Sequence, residues 1–377
     1  MRARRLLSGI SMVRRLVSHL VLYTLVGASS PVLAAPLSGV VAGYDPERGT
    51  FVGTEDGRWE LNPYAMVQLT HVTSGQGSRV DTTGFNLHAA KFILHGHVLD
   101  PSLTYHFQIN AGEGRVVAED VYLHWRATPW LSLLVGQTEV TFNRQHITLE
   151  AYQELVDRSI VDARFNLQRD IGAVASLSDP ERRYEATIGL WNGARQNAPN
   201  DDTGYLGTLR LAYNPQGPIA FREADLENSA VPKVSLALAG AYNPERIAVG
   251  PSSAPSTSTL HHVAQGVAEA TLRYRGLSLT NELHVRRQAI DGAPHAWDSG
   301  GFAQLGFFVV PSHLQLVSRL ARVAGTVNKS DPIGEETLGV SYYFLGHRFK
   351  LQTDGSRLET RASRAGWRAR VQLEFFL

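Results

Sequence analysis

Histidines and basic side chains carry most of the chemistry that this sequence could perform. His95 and His97 lie two residues apart, which puts both imidazoles on one face of a strand at a spacing able to bind a metal ion. No third ligand accompanies them, so two polar side chains facing water are the plainer reading. No G-x-S-x-G, H-E-x-x-H or G-x-x-x-x-G-K run occurs. Nucleophile-elbow, metalloprotease and phosphate-loop chemistries therefore have no carrier, and no enzyme activity, cofactor or metal is expected. Basic residues recur in phase with polar neighbours instead: Lys91, Arg126, Arg183, Arg210, Lys233, Arg273, Arg286, Arg319, Arg348, Lys350, Arg368 and Arg370. Seven acids share that phase, Asp120, Asp170, Glu185, Glu269, Glu282, Asp354 and Glu374. One outcome of such an excess is a basic surface that attracts small anions, since guanidinium forks suit phosphate and sulfate oxygens. The other is that these charges pair across neighbouring strands and stiffen a wall.

The phase itself comes from the elements that must position these groups. In Leu103-Thr104-Tyr105-His106-Phe107-Gln108-Ile109-Asn110 every odd residue is apolar and every even one polar, a strand with one greasy and one wet face. Segments of this kind fall near 58–72, 85–98, 103–112, 119–127, 131–138, 169–178, 183–192, 204–214, 232–243, 261–275, 277–288, 300–310, 313–323, 334–345, 347–354 and 366–377. Tight connections such as Arg275-Gly276 and Pro311-Ser312 alternate with long ones at 73–84, 139–168, 244–260, 289–299 and 355–365. An even number of amphipathic strands with that loop asymmetry predicts an all-β fold, a transmembrane antiparallel β-barrel of about sixteen strands in outer-membrane lipid. Aromatic residues near the tight-turn ends, Tyr105, Trp125, Tyr213, Tyr274, Phe344, Phe349 and Phe375, suit the headgroup level. One connection breaks the rule: 215–231 belongs on the short side yet holds two prolines and a polar stretch.

Composition agrees with an exported barrel. The 377 residues include no Cys, 43% hydrophobic residues and 36 basic against 35 acidic side chains, which excludes disorder, a disulfide scaffold and a helical membrane bundle. Residues 1–34 read as a signal peptide, with arginines at 2, 4, 5, 14 and 15, an apolar run from Leu16 to Gly27 and a small-residue exit at Ala34. The remaining 343 residues carry 31 basic and 35 acidic groups, so no nucleic-acid partner is expected. Residues 35–57 form a short N-terminal segment on the periplasmic side, and 58–377 the barrel. The final strand keeps its apolar phase through Val371, Leu373, Phe375 and Leu377, a pattern similar to the signal that the barrel assembly machinery reads.

Val156-Asp157-Arg158-Ser159, Arg169-Asp170-Ile171-Gly172-Ala173 and Gly346-His347-Arg348-Phe349-Lys350-Leu351-Gln352 resemble segments of the phosphate-selective porin O and P family. The resemblance runs from about Phe85 to Ala175 and again over 334–377. It implies a sixteen-stranded, homotrimeric porin with a third loop folded into the channel, passing small anions and in some members phosphate or polyphosphate. The connection 139–168 stands where that constriction loop belongs. Its charges, Glu139, Glu150, Glu154, Asp157 and Asp162 against Arg144, Arg158 and Arg164, sum to −2, the wrong sign for a phosphate eyelet. The chain also departs from the family pattern at Ala89, Lys91, Glu139 and Thr141. A general, weakly selective pore for small hydrophilic solutes is the alternative.

Overall fold

Strands form here because their two faces meet different solvents, and period-two alternation is the sequence that satisfies both. The computed structural model describes residues 39–45, 49–249, 257–290, 294–325, 331–362 and 366–377. The signal peptide expected at 1–34 and the tip of the connection 244–260 lie outside the described residues. The strands are β1 (Val40–Asp45), β2 (Gly49–Thr54), β3 (Trp59–Gln76), β4 (Arg79–Val98), β5 (Asp100–Asn110) and β6 (Val117–Thr128). They continue as β7 (Leu131–Glu139), β8 (Arg169–Ser178), β9 (Tyr184–Trp191), β10 (Leu206–Tyr213), β11 (Lys233–Val249) and β12 (Thr257–Tyr274). The last six are β13 (Leu277–Ile290), β14 (Ala296–Val310), β15 (Leu314–Ala324), β16 (Pro332–Tyr343), β17 (Phe349–Thr360) and β18 (Gly366–Phe376).

From β3 to β18 each strand pairs antiparallel with the next, and β18 returns to β3 through pairs such as Leu373↔Leu69 and Phe375↔Val67. The result is a closed sixteen-strand antiparallel barrel, with no unpaired edge between those strands. Leu377 and Ala65 exchange both backbone hydrogen bonds, at 2.8 and 2.9 Å, so the seam zips to the final residue. Val371, Leu373 and Phe375 lie on the outward face of that seam strand. β1 and β2 form a hairpin joined to β3 by Val52↔Leu61 and Gly53↔Glu60.

Outward positions are apolar and open: Leu283, Leu320 and Leu338 remain 66, 63 and 71% exposed. Lys350, Gln352, Asp354 and Ser356, on the opposite face of β17, are buried. The aromatic belt at the tight-turn ends is stacked, with Phe344, Phe349 and Phe375 in succession at 4.6 and 4.5 Å between ring centroids.

The strands outrun their apolar alternation at the long-loop end. β4 begins at Arg79 and β17 ends at Thr360, where alternation alone would start and stop them at 85 and 354. Beyond the apolar belt both faces meet water, so alternation lapses while the ladder continues. Cross-strand hydroxyl pairs Thr73–Thr83 and Ser74–Thr82, at 3.0 and 2.7 Å, sit in that extension.

Candidate functional site: a lumen filled from both ends

The connection 139–168 folds inward. Its short helices, α1 (Arg144–Ile147) and α2 (Ile160–Phe165), and a single 3-10 turn at Glu150–Tyr152 bring apolar groups against the wall. Val140 and Phe142 pack on Trp191, Leu206 and Val267. Ala151 meets Met66 and Ala89. Val161 and Phe165 meet Phe302, Ala321 and Val323. Ser159 caps α2, its Oγ accepting the Asp162 amide at 3.1 Å.

Wall charges hold the same loop. Arg319 binds Glu335 at 2.5 Å and donates to the carbonyls of Asp157 and Arg158. Arg370 binds Asp354 at 2.8 Å and Asp157 at 3.3 Å. Lys350 donates to the Gln153 carbonyl at 2.8 Å and faces Glu374 at 3.5 Å. Arg286 and Arg164 share Asp298, and Arg210 binds Glu269, which also accepts the Arg144 amide. Asp162 is pushed down to about 2, because His146, Arg158 and the Asn143 amide outweigh its burial.

Toward β4, β6 and β8 the contact is a closed ring of alternating charge. Lys91 touches Glu119 at 2.8 Å and Glu150 at 2.9 Å. Arg158 joins Glu150 at 3.6 Å to Glu139 at 3.8 Å, and Arg169 joins Glu139 at 3.2 Å back to Glu119 at 3.8 Å. Asp120 adds a further acid on Arg169 at 3.0 Å. Burial opposes the charge of Glu150, yet Lys91 and then Arg158 hold its carboxyl well below the usual range. On the long-loop side of this ring opens a polar cavity of about 270 Å³, lined by His88, Lys91, Glu113, Arg115, Glu119 and Arg158 among others.

The anomalous connection 215–231 is a strap folded across the tight-turn mouth. Ser229 accepts the Arg275 amide at 2.9 Å, Asp225 accepts the Gly276 amide at 2.8 Å, and Leu226 accepts the Ser312 hydroxyl at 2.8 Å. Inside the barrel the strap meets the inner loop: Glu223 donates its amide to the Tyr152 carbonyl and accepts the Glu154 amide, both at 2.9 Å. Arg144 and Arg273 both donate to the Ala220 carbonyl, at 2.6 and 3.0 Å. Burial first, and then Arg273, pulls Arg144 down to about 10. The length of 215–231 has its reason here: Ile219 and Ala224 are buried, and Ala224 and Leu226 pack against Phe308 and Tyr343.

The sequence-derived basic positions divide into groups. Lys91, Arg210, Arg286, Arg319, Lys350 and Arg370 are on the inner face and each holds an acid. Arg273 and Arg368 are on it with no acid within 4.0 Å among the described residues. Arg126 is exposed at the end of β6, donating to the Pro101 carbonyl, and Lys233 begins β11 beside Glu227. Arg183 and Arg348 belong to tight turns rather than to the wall, because pairing ends before them; Arg348 donates to the Tyr44 hydroxyl at 3.0 Å. Of the loop residues, Glu139 closes β7 and so belongs to the wall. Sequence reasoning missed Phe302, Phe308, Met66 and Trp191, inward apolar residues whose signal is an alternation that turns greasy on the wet face. It also missed Glu119, Arg169, Asp298 and Glu335, partners named by no local spacing. Among the described residues no group of three His, Cys, Asp or Glu is placed to hold a metal ion.

No family model matches the chain, and no curated protein matches it. Solved structures do. OmpT, an outer membrane protein of Vibrio cholerae, in its trimer form, has a TM-score of 0.58 at 9% identity, covering 85% of this chain and 99% of its own. An anion-selective porin from Comamonas acidovorans scores 0.55 at 12% identity, covering 85% of this chain and all of its own. The outer membrane channel DcaP of Acinetobacter baumannii scores 0.54 at 10% identity, covering 86% and 99%. At these identities the likeness establishes the fold: the chain is a closed sixteen-strand antiparallel barrel with the architecture of outer-membrane porins.

Proposed function

We propose that the chain is a porin of a Gram-negative outer membrane, a water-filled channel through which small hydrophilic solutes diffuse passively, with weak charge preference. The observation that carries this reading is a polar-lined barrel closed around an inward-folded loop, its greasy face open to lipid. Weak preference follows from pairing. Of the twelve basic side chains expected along the pore, six hold acids on the inner face and Lys233 and Arg183 meet Glu227 and Glu181 at 3.6 and 4.0 Å, while the ring from Lys91 to Glu139 carries three bases and three acids before Asp120 is added. Anion preference, with phosphate as its special case, draws support only from Arg273 and Arg368, and Arg273 is engaged by the strap. A homotrimer, assembly through Val371, Leu373, Phe375 and Leu377, and a periplasmic position for the β1–β2 hairpin belong to the same proposal.

The test is the reversal potential of purified protein in a planar bilayer under a KCl gradient, with phosphate added as a blocker. Ohmic conductance with a potential near zero is expected. A potential close to that of chloride, abolished by phosphate, would replace the weak preference with the anion reading. No conductance from correctly folded protein would end the porin reading. Lys91→Met, which removes the cation bridging Glu119 and Glu150 and leaves them only the more distant Arg169 and Arg158, at 3.8 and 3.6 Å, should shift permeability toward potassium about twofold in the same assay.

A further inference from the structure

The inner wall is covered unevenly. Along β10 to β18 the inward side chains, among them Thr208, Ser235, Thr280, Gln304, Thr337 and Gln372, lie buried beneath the inner loop and the strap. On β4 to β6, on the tight-turn side of the charged ring, they keep partial contact with solvent: His95, His97, Thr104, His106, Tyr122 and His124. Water inside this barrel therefore has a wall of its own, and that wall is histidine-rich. The register makes it one patch, pairing His95 with His106, His97 with Thr104, Thr104 with His124 and His106 with Tyr122. His95 and His106 stand 6.0 Å apart by ring centroid, and His106 stacks on Tyr122 at 5.1 Å with 2° between planes.

We propose that this patch sets the charge selectivity of the channel and switches it with pH, the route being anion-preferring when His95, His106 and His124 are protonated and nearly indifferent when they are neutral. The inference rests on the porin reading above. An imidazole takes up a proton and becomes cationic as the medium is acidified. Fixed charges around the patch do not swamp it. Glu60 of β3 lies opposite His97 in register, Asp100 at the start of β5 is near His97, Asp120 and Arg169 act on His106, and Arg126 acts on His124. That is three acids against two bases, so three added protons reverse the local sign. A charged wall in a narrow water-filled route selects counter-ions by raising their local concentration.

The experiment measures the chloride-to-potassium permeability ratio at pH 8 and pH 4.5, for the full chain and for the triple substitution His95→Asn, His106→Asn, His124→Asn. The ratio is expected to rise about threefold or more in the natural chain and to stay flat in the variant. A conducting channel whose ratio ignores pH, or a variant that keeps the full rise, overturns the inference while leaving the porin reading intact. Absence of conductance at both pH values overturns both. A second measurement does not depend on the variant folding: diethyl pyrocarbonate should modify His95, His106 and His124 of the natural protein in vesicles well before the buried His284 and His347. Equal protection of all five would show that no water reaches the patch.

Discussion

Excision of residues 218–230, with two glycines joining the ends, raises single-channel conductance about twofold. The expectation follows from where the strap runs. It leaves β10, crosses beneath the β12–β13 and β14–β15 turns through Ser229, Asp225 and Leu226, and returns to β11. Its removal should open that side of the mouth without disturbing the wall. The β10–β11 ladder ends at Tyr213↔Leu236, and the neck beyond it is closed by the Val234 amide on Gln216 Oε1 at 3.1 Å, outside the excised segment. Arg144 and Arg273 lose the Ala220 carbonyl but gain water, so no buried charge is stranded. Phe308 and Tyr343 lose Ala224 and Leu226, and a modest fall in thermal stability is the accompanying result. Unchanged conductance in a folded barrel would place the solute route wholly on the β3–β8 side.

The wall was legible in the sequence, and its contents were not. Sixteen segments of alternation land on β3 to β18 because lipid outside and water inside impose a local, two-residue rule that each strand obeys alone. What fills the lumen obeys no local rule. Phe302 and Phe308 sit in the wet phase of β14 only because Phe165 and the strap pack there, contacts spanning more than eighty residues of chain. The same distance hid the ion pairs. Arg286–Asp298 and Arg370–Asp354 are register partners across one hairpin, and knowledge of the strands nearly yields them. Lys91–Glu150, Arg319 on the Asp157 carbonyl and the Glu139–Arg158–Glu150 run require the path of the inner loop, which length and charge sum alone cannot supply. A basic phase was therefore readable, and its neutralisation was not.

Glu154 is where the two lumen-filling segments depend on pH. Its side chain accepts from Ser278 and from Gln315 on one oxygen and from Gln304 at 2.9 Å on the other; Gln304 also donates to Glu223 at 2.8 Å. Burial, and next the Glu223 carboxylate, push the Glu154 carboxyl up to about 7 from an ordinary 4.5. A folded-state pKa above the unfolded one means that the assembled site holds the proton more tightly. The stabilisation is therefore complete below about pH 4.5 and is lost as pH rises through 7. A shift of this size corresponds to about 3 kcal/mol, and opening of the strap, which takes away Glu223 and part of the burial, recovers about half of it, roughly tenfold in the opening equilibrium. Hydrogen exchange provides the measure: the protection factor of the Glu223 amide, which donates to Tyr152, should fall roughly tenfold between pH 5 and pH 8. Glu154→Gln should flatten that profile, since a neutral amide at this place imitates the protonated acid and the Ser278 hydroxyl can turn to accept from it. A pH-independent protection factor in the natural protein would mean that Glu154 stays ionised, with Lys350 and Arg273, both close enough to act on it, supplying the compensation.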